Sequence, residues 1–439
     1  MCTGSKRAAV LALFALSAGA AAAPRQLTLD DAIALALQHQ PSLRQAHFAT
    51  AAARARADEA RAPLLPQLVG TAGYSRSTGN FAASPGFLPR GTMIGASSSS
   101  FDSFNFFTAG LSLNQFIWDF GQTTDRFYAA RESAASQLST ERATRLQIVL
   151  GVRTAYFAAR AERDLVTVAA ETLANLERHL VQIEGMVRVG QRPEIDLAQA
   201  RSDRATAEAT LITTENAYAI ARAQLNLAIG VEGRPDFDVP SGPPPSVSGE
   251  DLAPEALADE ALRARPEMAA LEEQVRAQKL TLSSLRGGYG PALGATVNLT
   301  DRGGDITNLA WNWSAGVNLT WPIFSGLLTR SQISEQDANL LGLLAQRDGL
   351  RQSILLELEQ ASLGVRAAKA TLRANDEALA NARIRLQLAE GRYTAGVGNV
   401  IELGDAQVAL TNAAAQRTQA DFNLSTARSQ LLHALGRAS

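Results

Sequence analysis

The chain has 439 residues, of which 46% are hydrophobic but only 6% aromatic, and its formal net charge is -2. The near balance of 41 basic and 43 acidic residues argues against nucleic-acid binding, which requires a clustered basic excess. The single cysteine excludes a disulfide framework or a cysteine-rich zinc site, and the four scattered histidines leave little material for a metal centre.

The first residues have the layout of a secretory signal peptide. Lys6 and Arg7 are basic, an apolar stretch follows them, and the small residues Ala20–Ala22 fit a cleavage site. We therefore predict a signal peptide at 1–22 and export of the remaining chain.

Two kinds of hydrophobic period follow, and both occur in each half of the chain. Strand-like segments place apolar residues at every second position, whereas proline-free segments repeat them at spacings of three and four. For the first repeat, 23–230, we predict an equatorial helix, a second helix, strands at about 67–75 and 106–118, a long helix at about 121–186 and a return helix at about 194–229. For the second repeat, 251–439, we predict strands at about 291–300 and 310–322, a long helix at about 326–391 and a return helix at about 400–435.

A constant offset shows that these two halves are a tandem duplication. Gly121 after the first strand pair returns as Gly326, 205 positions later, and Gly190 returns as Gly396, 206 positions later. The segment 231–250 between the halves is rich in proline, glycine and serine, which is typical of a linker.

The four alternating segments fit either of two sheets. An ordinary antiparallel sheet packs its apolar face on helices, whereas segments of about 9–11 residues also suit tilted transmembrane strands. Export and the long helices favour the membrane interpretation. Because four strands cannot close a barrel and lipid does not tolerate open edges, several chains must then share one barrel, with the loops Ser75–Asn105 and Asp301–Asn308 outside.

The segment Leu27–Ala36, followed by Gln40–Leu43, resembles the opening signature of the TolC family of outer-membrane efflux and secretion channels. The duplicated plan of two strands, long helix, turn and return helix matches that family over essentially the whole exported chain. The resemblance implies an α+β membrane protein in which a homotrimer forms a 12-stranded outer-membrane β-barrel, continued by a periplasmic α-helical barrel. It also implies a Gram-negative bacterium and contact with outer-membrane lipid.

The same resemblance implies an exit channel of a tripartite efflux or type I secretion system. Family members dock by two helix turns onto a periplasmic adaptor (membrane fusion) protein tied to an inner-membrane pump of the RND, ABC or MFS class. The corresponding turns here are Val189, Gly190, Gln191 and Arg192, and Ala395, Gly396, Val397 and Gly398. Glycines there equally serve to terminate the helices.

The resemblance further implies a gate at the tunnel mouth. Glu402 and Asp405 match the family's acidic ring, and their spacing of three puts them on one helix face. Asp196 and Tyr393 match a pair that helps to hold the mouth closed. The arginine expected two residues after Gly396 is replaced by Gly398, and Arg192 is the candidate substitute.

Other functions find less support in the sequence. P-loop, HExxH and GxSxG motifs are absent, so neither an enzyme nor a cofactor is predicted. A non-channel periplasmic coiled-coil adaptor or scaffold explains the long helices but not the four alternating segments. The cargo stays open among drugs, metal ions, polysaccharide precursors and proteins.

Overall fold

The computed structural model describes residues 25–78, 101–242 and 246–438. The predicted signal peptide at 1–22 lies outside these residues. The chain divides into two compact units, and each unit combines segments from both sequence repeats. Among the described residues, the first unit contains 25–39, 151–242 and 368–426, and the second contains 40–78, 101–150, 246–367 and 427–438.

Eight helices and six strands are present in the described residues. The helices are α1 (Leu29–His39), α2 (Pro41–Arg61), α3 (Gln122–Arg188), α4 (Glu194–Ile229), α5 (Pro254–Ala264), α6 (Pro266–Gly287), α7 (Leu328–Thr394) and α8 (Val400–Ala434). The strands are β1 (Arg25–Gln26), β2 (Gln67–Thr78), β3 (Ser103–Trp118), β4 (Phe237–Asp238), β5 (Ala292–Gly303) and β6 (Ala310–Thr320).

Local sequence signals account for several helix ends. The Thr28 hydroxyl accepts a hydrogen bond from the Asp31 backbone N–H at 3.2 Å and donates one to the Asp31 carboxylate at 2.8 Å, which caps α1. Proline begins α2, α5 and α6, where its missing N–H costs nothing. Gly230 ends α4 with φ 79°, a left-handed conformation that suits glycine.

The core of the first unit is a thin seam of small and medium apolar residues. Leu386, Ala389 and Tyr393 of α7 pack with residues of the facing helices in one buried cluster. The other members of that cluster are Ile183, Ala200, Leu403 and Ala406. Spacings of three and four on α7 place its members on one face, as the coiled-coil pattern requires.

Polar contacts inside the first unit supplement this thin core. The Arg160 guanidinium forms a buried ion pair with Asp421 and donates to the Ser425 hydroxyl at 3.0 Å. In the linker, β4 pairs in parallel with β1, and Arg163 donates to the Val239 carbonyl at 2.5 Å. These contacts fix the linker to the helices of its own unit.

The second unit contains a four-stranded antiparallel sheet in the order β2-β3-β5-β6. Leu113 pairs with Leu68 on one side and with Val297 on the other, and Val297 pairs with Ala315. The sheet therefore joins one strand pair from each sequence repeat. Within the described residues, β2 and β6 are edge strands of this sheet.

Opposite faces of this sheet differ in polarity. The face that contains Leu113 and Val297 also presents Trp311 and Trp313, which are 71% and 63% exposed. On the other face, Ser112 donates to the Asn298 amide oxygen at 2.7 Å, and the Asn298 amide donates to the Ser314 hydroxyl at 3.5 Å. In the part of the chain that the structure describes, nothing covers the apolar face, and the hydrogen-bonded polar face lies opposite it.

Helix contacts hold the rest of the second unit together. The Ser136 hydroxyl of α3 donates to the Ala270 carbonyl of α6 at 2.8 Å, and both groups are buried. Near the end of α8, Arg428 forms a two-pronged ion pair with Glu250 at 2.7 and 2.8 Å. The two-pronged geometry matches the planar guanidinium to the carboxylate.

The structure extends three strands beyond their predicted bounds. β3 begins at Ser103, three residues before its predicted start at about 106. β2 continues to Thr78, and β5 continues to Gly303 because Asp301 and Arg302 still pair with Trp311 and Ala310. The prediction of a loop beginning at Asp301 was therefore wrong for the first three residues. Pairing with the neighbouring strand determines where these strands end. The alternation of apolar and polar residues in the sequence does not reveal that pairing. Most of the predicted loop between β2 and β3 (79–100) lies outside the described residues.

The buried Arg160–Asp421 pair leads to a stability prediction. We expect Asp421→Ala to lower the free energy of unfolding by about 3 kcal/mol, because it leaves a guanidinium buried without its counter-charge. Thermal melts followed by circular dichroism measure this change. Asp259→Ala, which breaks the exposed pair with Arg263, is the control and should cost less than about 1 kcal/mol. An Asp421→Ala protein that melts with the wild type would contradict the prediction.

Candidate functional site at the helix turns

Both long helices end in turns that depend on glycine. Gly190 has φ 73° and Gly396 has φ 78°, and neither conformation suits a residue with a side chain. After the first helix, the Gln191 N–H donates to the Met186 carbonyl at 2.9 Å, and after the second, the Val397 N–H donates to the Arg392 carbonyl at 3.1 Å. These bonds satisfy the last carbonyls of α3 and α7.

Arg192 connects the first turn to the second. Its guanidinium donates to the carbonyl oxygens of Tyr393 and Gly398, both at 3.2 Å, and lies 4.3 Å from the centre of the Tyr393 ring. A Cβ on Gly398 would lie only 3.0 Å from the Tyr393 backbone nitrogen. The close approach at Gly398 disfavours an arginine there, and the Arg192 guanidinium is the cation beside Tyr393.

Asp196 and Tyr393, predicted as a pair, are both buried in this unit. Tyr393 is 2% exposed and Asp196 is 7% exposed. Burial raises the pKa of the Tyr393 phenol, the positive charge of Arg192 opposes this rise, and the negative charge of Asp196 adds to it. The phenol therefore stays protonated at neutral pH.

Glu402 and Asp405, predicted on one helix face, have different surroundings. Glu402 forms an ion pair with Arg392 at 3.1 Å, and its backbone N–H donates to the Asn399 side chain at 2.7 Å. Asp405 is exposed and lines a groove whose lining does not include Glu402. Both ends of the Arg392–Glu402 pair are about half exposed, so it contributes little to stability.

The groove occupies about 1030 Å³ within the first unit. Residues of α3, α4 and α8 form its walls, and Arg192 and Pro193 lie at one end. Its apolar lining includes Leu165, Val168, Leu176, Val400 and Val408. Asp196, Asp203 and Asp405 supply carboxylates to the same groove, together with the Gln407 amide.

Three polar residues of this region did not emerge from the sequence. Arg392 stands ten positions before Glu402 across a glycine turn, and that spacing could have identified it as a partner. Asp203 and Gln407 lie within the polar pattern of ordinary helices, which carries no signal for a groove.

Two further properties concern the described residues as a whole. No helix in 25–78, 101–242 or 246–438 is long and apolar enough to cross a membrane. Nor do these residues bring three or more histidine, cysteine, aspartate or glutamate side chains into a group that could hold a metal ion.

Comparison with known proteins assigns this architecture to a family. The sequence model of the family described as "Outer membrane efflux protein" matches residues 32–231 and 257–437, which is most of the chain. The chain belongs to the outer membrane efflux protein family. It acts as an outer-membrane exit channel for efflux and extends from the outer membrane of a Gram-negative bacterium into the periplasm. The alternative of a non-channel adaptor or scaffold is therefore wrong.

Individual relatives are distant but cover most of the chain. Outer membrane protein OprJ of Pseudomonas aeruginosa is 26% identical over 388 residues, which are 85% of this chain and 76% of OprJ. Outer membrane protein TolC of Escherichia coli (strain K12) is 25% identical over 422 residues, with 90% and 79% covered. The crystal structure of a membrane protein from Pseudomonas aeruginosa superposes with a TM-score of 0.80 at 23% identity, covering 93% of this chain and 90% of that chain.

Arg192 generates a local prediction at the turns. We expect Arg192→Ala to speed amide hydrogen exchange over Ala395–Gly398 by about tenfold, because two charged hydrogen bonds to the second turn are lost. Exchange followed by mass spectrometry measures this opening. Arg201→Ala removes an exposed pair with Glu184 and is the matched control. Equal exchange in the two variants would show that Arg192 does not hold the turn.

Proposed function

We propose that three copies of this chain form the channel. Each copy would contribute four strands to a 12-stranded outer-membrane barrel, and the helices would continue as an α-helical barrel across the periplasm. The observation that carries this proposal is the open sheet, which within the described residues has an uncovered apolar face and two free edges, β2 and β6. Lipid excludes unpaired backbone groups, so such edges need partners from other copies.

The direction of the edge strands supports closure between copies. Each neighbouring pair in the order β2-β3-β5-β6 is antiparallel, so β2 and β6 run in opposite directions. The β6 edge of one copy can therefore pair antiparallel with the β2 edge of the next. Head-to-tail pairing of this kind forms a ring when the rotation closes.

The two faces of the sheet support a membrane barrel with a polar lumen. Tryptophans on the apolar face suit the aromatic girdles of such barrels, and the hydrogen-bonded polar face would line the water-filled interior.

The periplasmic turns are the proposed docking site for a partner. A periplasmic adaptor protein tied to an inner-membrane pump of the RND, ABC or MFS class would bind Val189–Arg192 and Ala395–Gly398. Val189 and Val397 are 67% and 70% exposed, which supports an apolar contact there. The relatives OprJ and TolC are named as outer membrane proteins, and this chain would hold the same position in its own assembly.

Acidic residues at the second turn form the proposed gate. Three copies of Glu402 and Asp405 would bring carboxylates around one axis and attract cations. Asp196, Tyr393 and Arg192 would hold the turns together in the closed mouth. The position of both carboxylates in the first turns of α8, directly after the Gly396 turn, supports this role.

Placing a charge on the apolar face tests the barrel. We expect Val297→Arg to abolish the heat-modifiable trimer in the outer-membrane fraction, because a charge facing lipid costs about 2–4 kcal/mol per chain. Fractionation followed by electrophoresis with and without boiling measures the trimer. Thr296→Arg, which places the same charge on the polar face, should leave the trimer intact. If both variants assemble equally, or if the wild type is a soluble periplasmic protein, the proposal fails.

Removing the gate carboxylates tests the acidic ring. We expect Glu402→Gln combined with Asp405→Ser to bring the cation-to-anion permeability ratio toward one, because the ring then lacks its negative charge. Reversal potentials in planar bilayers under a salt gradient give this ratio. The control Asp337→Asn removes an exposed carboxylate of α7 and should keep the wild-type ratio. Unchanged selectivity in the double variant would rule out this ring as the selectivity element.

A further inference from the structure

The apolar face of the four-stranded sheet becomes polar at one end. Along this face, β2 changes from Leu68 and Ala72 to Arg76, and β3 changes from Leu113 to Asn105. The helices join the sheet at its opposite end, because β2 follows α2 and β3 precedes α3. Since the chain extends from the outer membrane into the periplasm, the polar end of the face is the outward end.

Four exposed polar side chains at this end form the outer-rim cluster, which consists of Arg76, Thr78, Ser103 and Asn105. The Arg76 Nε–H donates to the Ser103 hydroxyl at 2.9 Å, and in the strand ladder Arg76 pairs with Asn105. The Tyr74 hydroxyl donates to the Asn105 amide oxygen at 3.1 Å, which turns the amide N–H groups of Asn105 into the donors of that side chain. The cluster therefore brings guanidinium, amide and hydroxyl donors together on one face.

The charge around the outer-rim cluster favours an anionic ligand. Residues 75–106 contain two arginines, Arg76 and Arg90, and one acidic residue, Asp102. Asp301 lies on the same face of the sheet, but it pairs with Ala109, which is four residues, or about 13 Å, from Asn105 along β3. A planar guanidinium next to hydroxyl and amide donors complements the oxygens of a phosphate group.

We propose that the outer-rim cluster binds a phosphate group of lipid A, the phosphorylated glycolipid of the outer leaflet. The inference rests on the proposed barrel, because lipid meets the apolar face only where that face is the outside of a closed barrel. The acyl chains would lie against the apolar part of the face, and the phosphate would meet Arg76 where the face becomes polar. An arginine on the lipid-facing side is costly at the bilayer midplane but costs little at the head-group level, which accounts for its position here.

The test titrates the detergent-solubilised full-length protein with lipid A and counts bound lipid by native mass spectrometry. EDTA is present throughout, because a divalent cation would bridge a phosphate to a carboxylate. We expect Arg76→Gln to weaken lipid A binding about tenfold through the loss of charged hydrogen bonds to phosphate. Arg302→Gln is the matched control, since Arg302 is an exposed arginine near the same end of the sheet but pairs with Thr108 on the polar face. This control should bind lipid A as the wild type does.

Further arms separate the cluster from the barrel. Dephosphorylated lipid A should bind the wild type and Arg76→Gln equally, and Thr78→Val should weaken binding of intact lipid A about threefold, which keeps a test available if Arg76→Gln fails to assemble. The cluster is overturned if Arg76→Gln and Thr78→Val bind lipid A as tightly as the wild type, or if Arg302→Gln weakens binding as much as Arg76→Gln. A heat-modifiable trimer that binds no lipid A overturns the cluster and leaves the barrel intact. Binding that depends on Arg76 in a protein that forms no trimer supports the phosphate site and contradicts the shared barrel.

Discussion

Unpaired backbone groups at the edges of the sheet are the constraint on which the proposed assembly depends. Within the described residues, β2 and β6 are the edge strands of a sheet whose apolar face has no cover. Water can satisfy such edges, but the interior of a lipid bilayer cannot. In the proposed barrel, the missing hydrogen bonds come from other copies of the chain. The duplication of the sequence builds this sheet, because each repeat supplies one pair of its strands.

The helical parts of the protein have thin cores, which polar contacts supplement. Small residues such as Ala200 and Ala406 allow helices to approach closely, but they bury little apolar area per residue. Arginine contacts supplement this packing in both units, as the Arg160–Asp421 and Arg428–Glu250 pairs illustrate. At the turns, Arg192 combines two carbonyl contacts with the face of the Tyr393 ring. Because these helices have no thick core, their ends depend on such specific polar contacts.

The sequence predicts the regular elements well and the specific contacts poorly. Helices α4 and α8 could be placed because their glycine turns and apolar spacings are local signals, and the family resemblance follows from the motif at Leu27–Ala36. The pairing of β1 with β4 could not be predicted, since two-residue strands have no measurable period. The buried amide of Gln407 was missed for a related reason. A polar residue in an amphipathic helix gives no sign of which neighbour it meets until the helices are packed.

Disulfide cross-linking between the two sheet edges tests the shared barrel most directly. A variant with Ala72→Cys on β2 and a cysteine at successive positions of β6 allows bonds between copies but not within one sheet. If three chains close one barrel, oxidised outer-membrane protein forms covalent dimers and trimers and nothing larger on non-reducing gels. A ladder that continues beyond the trimer, or monomers alone at every β6 position, would contradict the account.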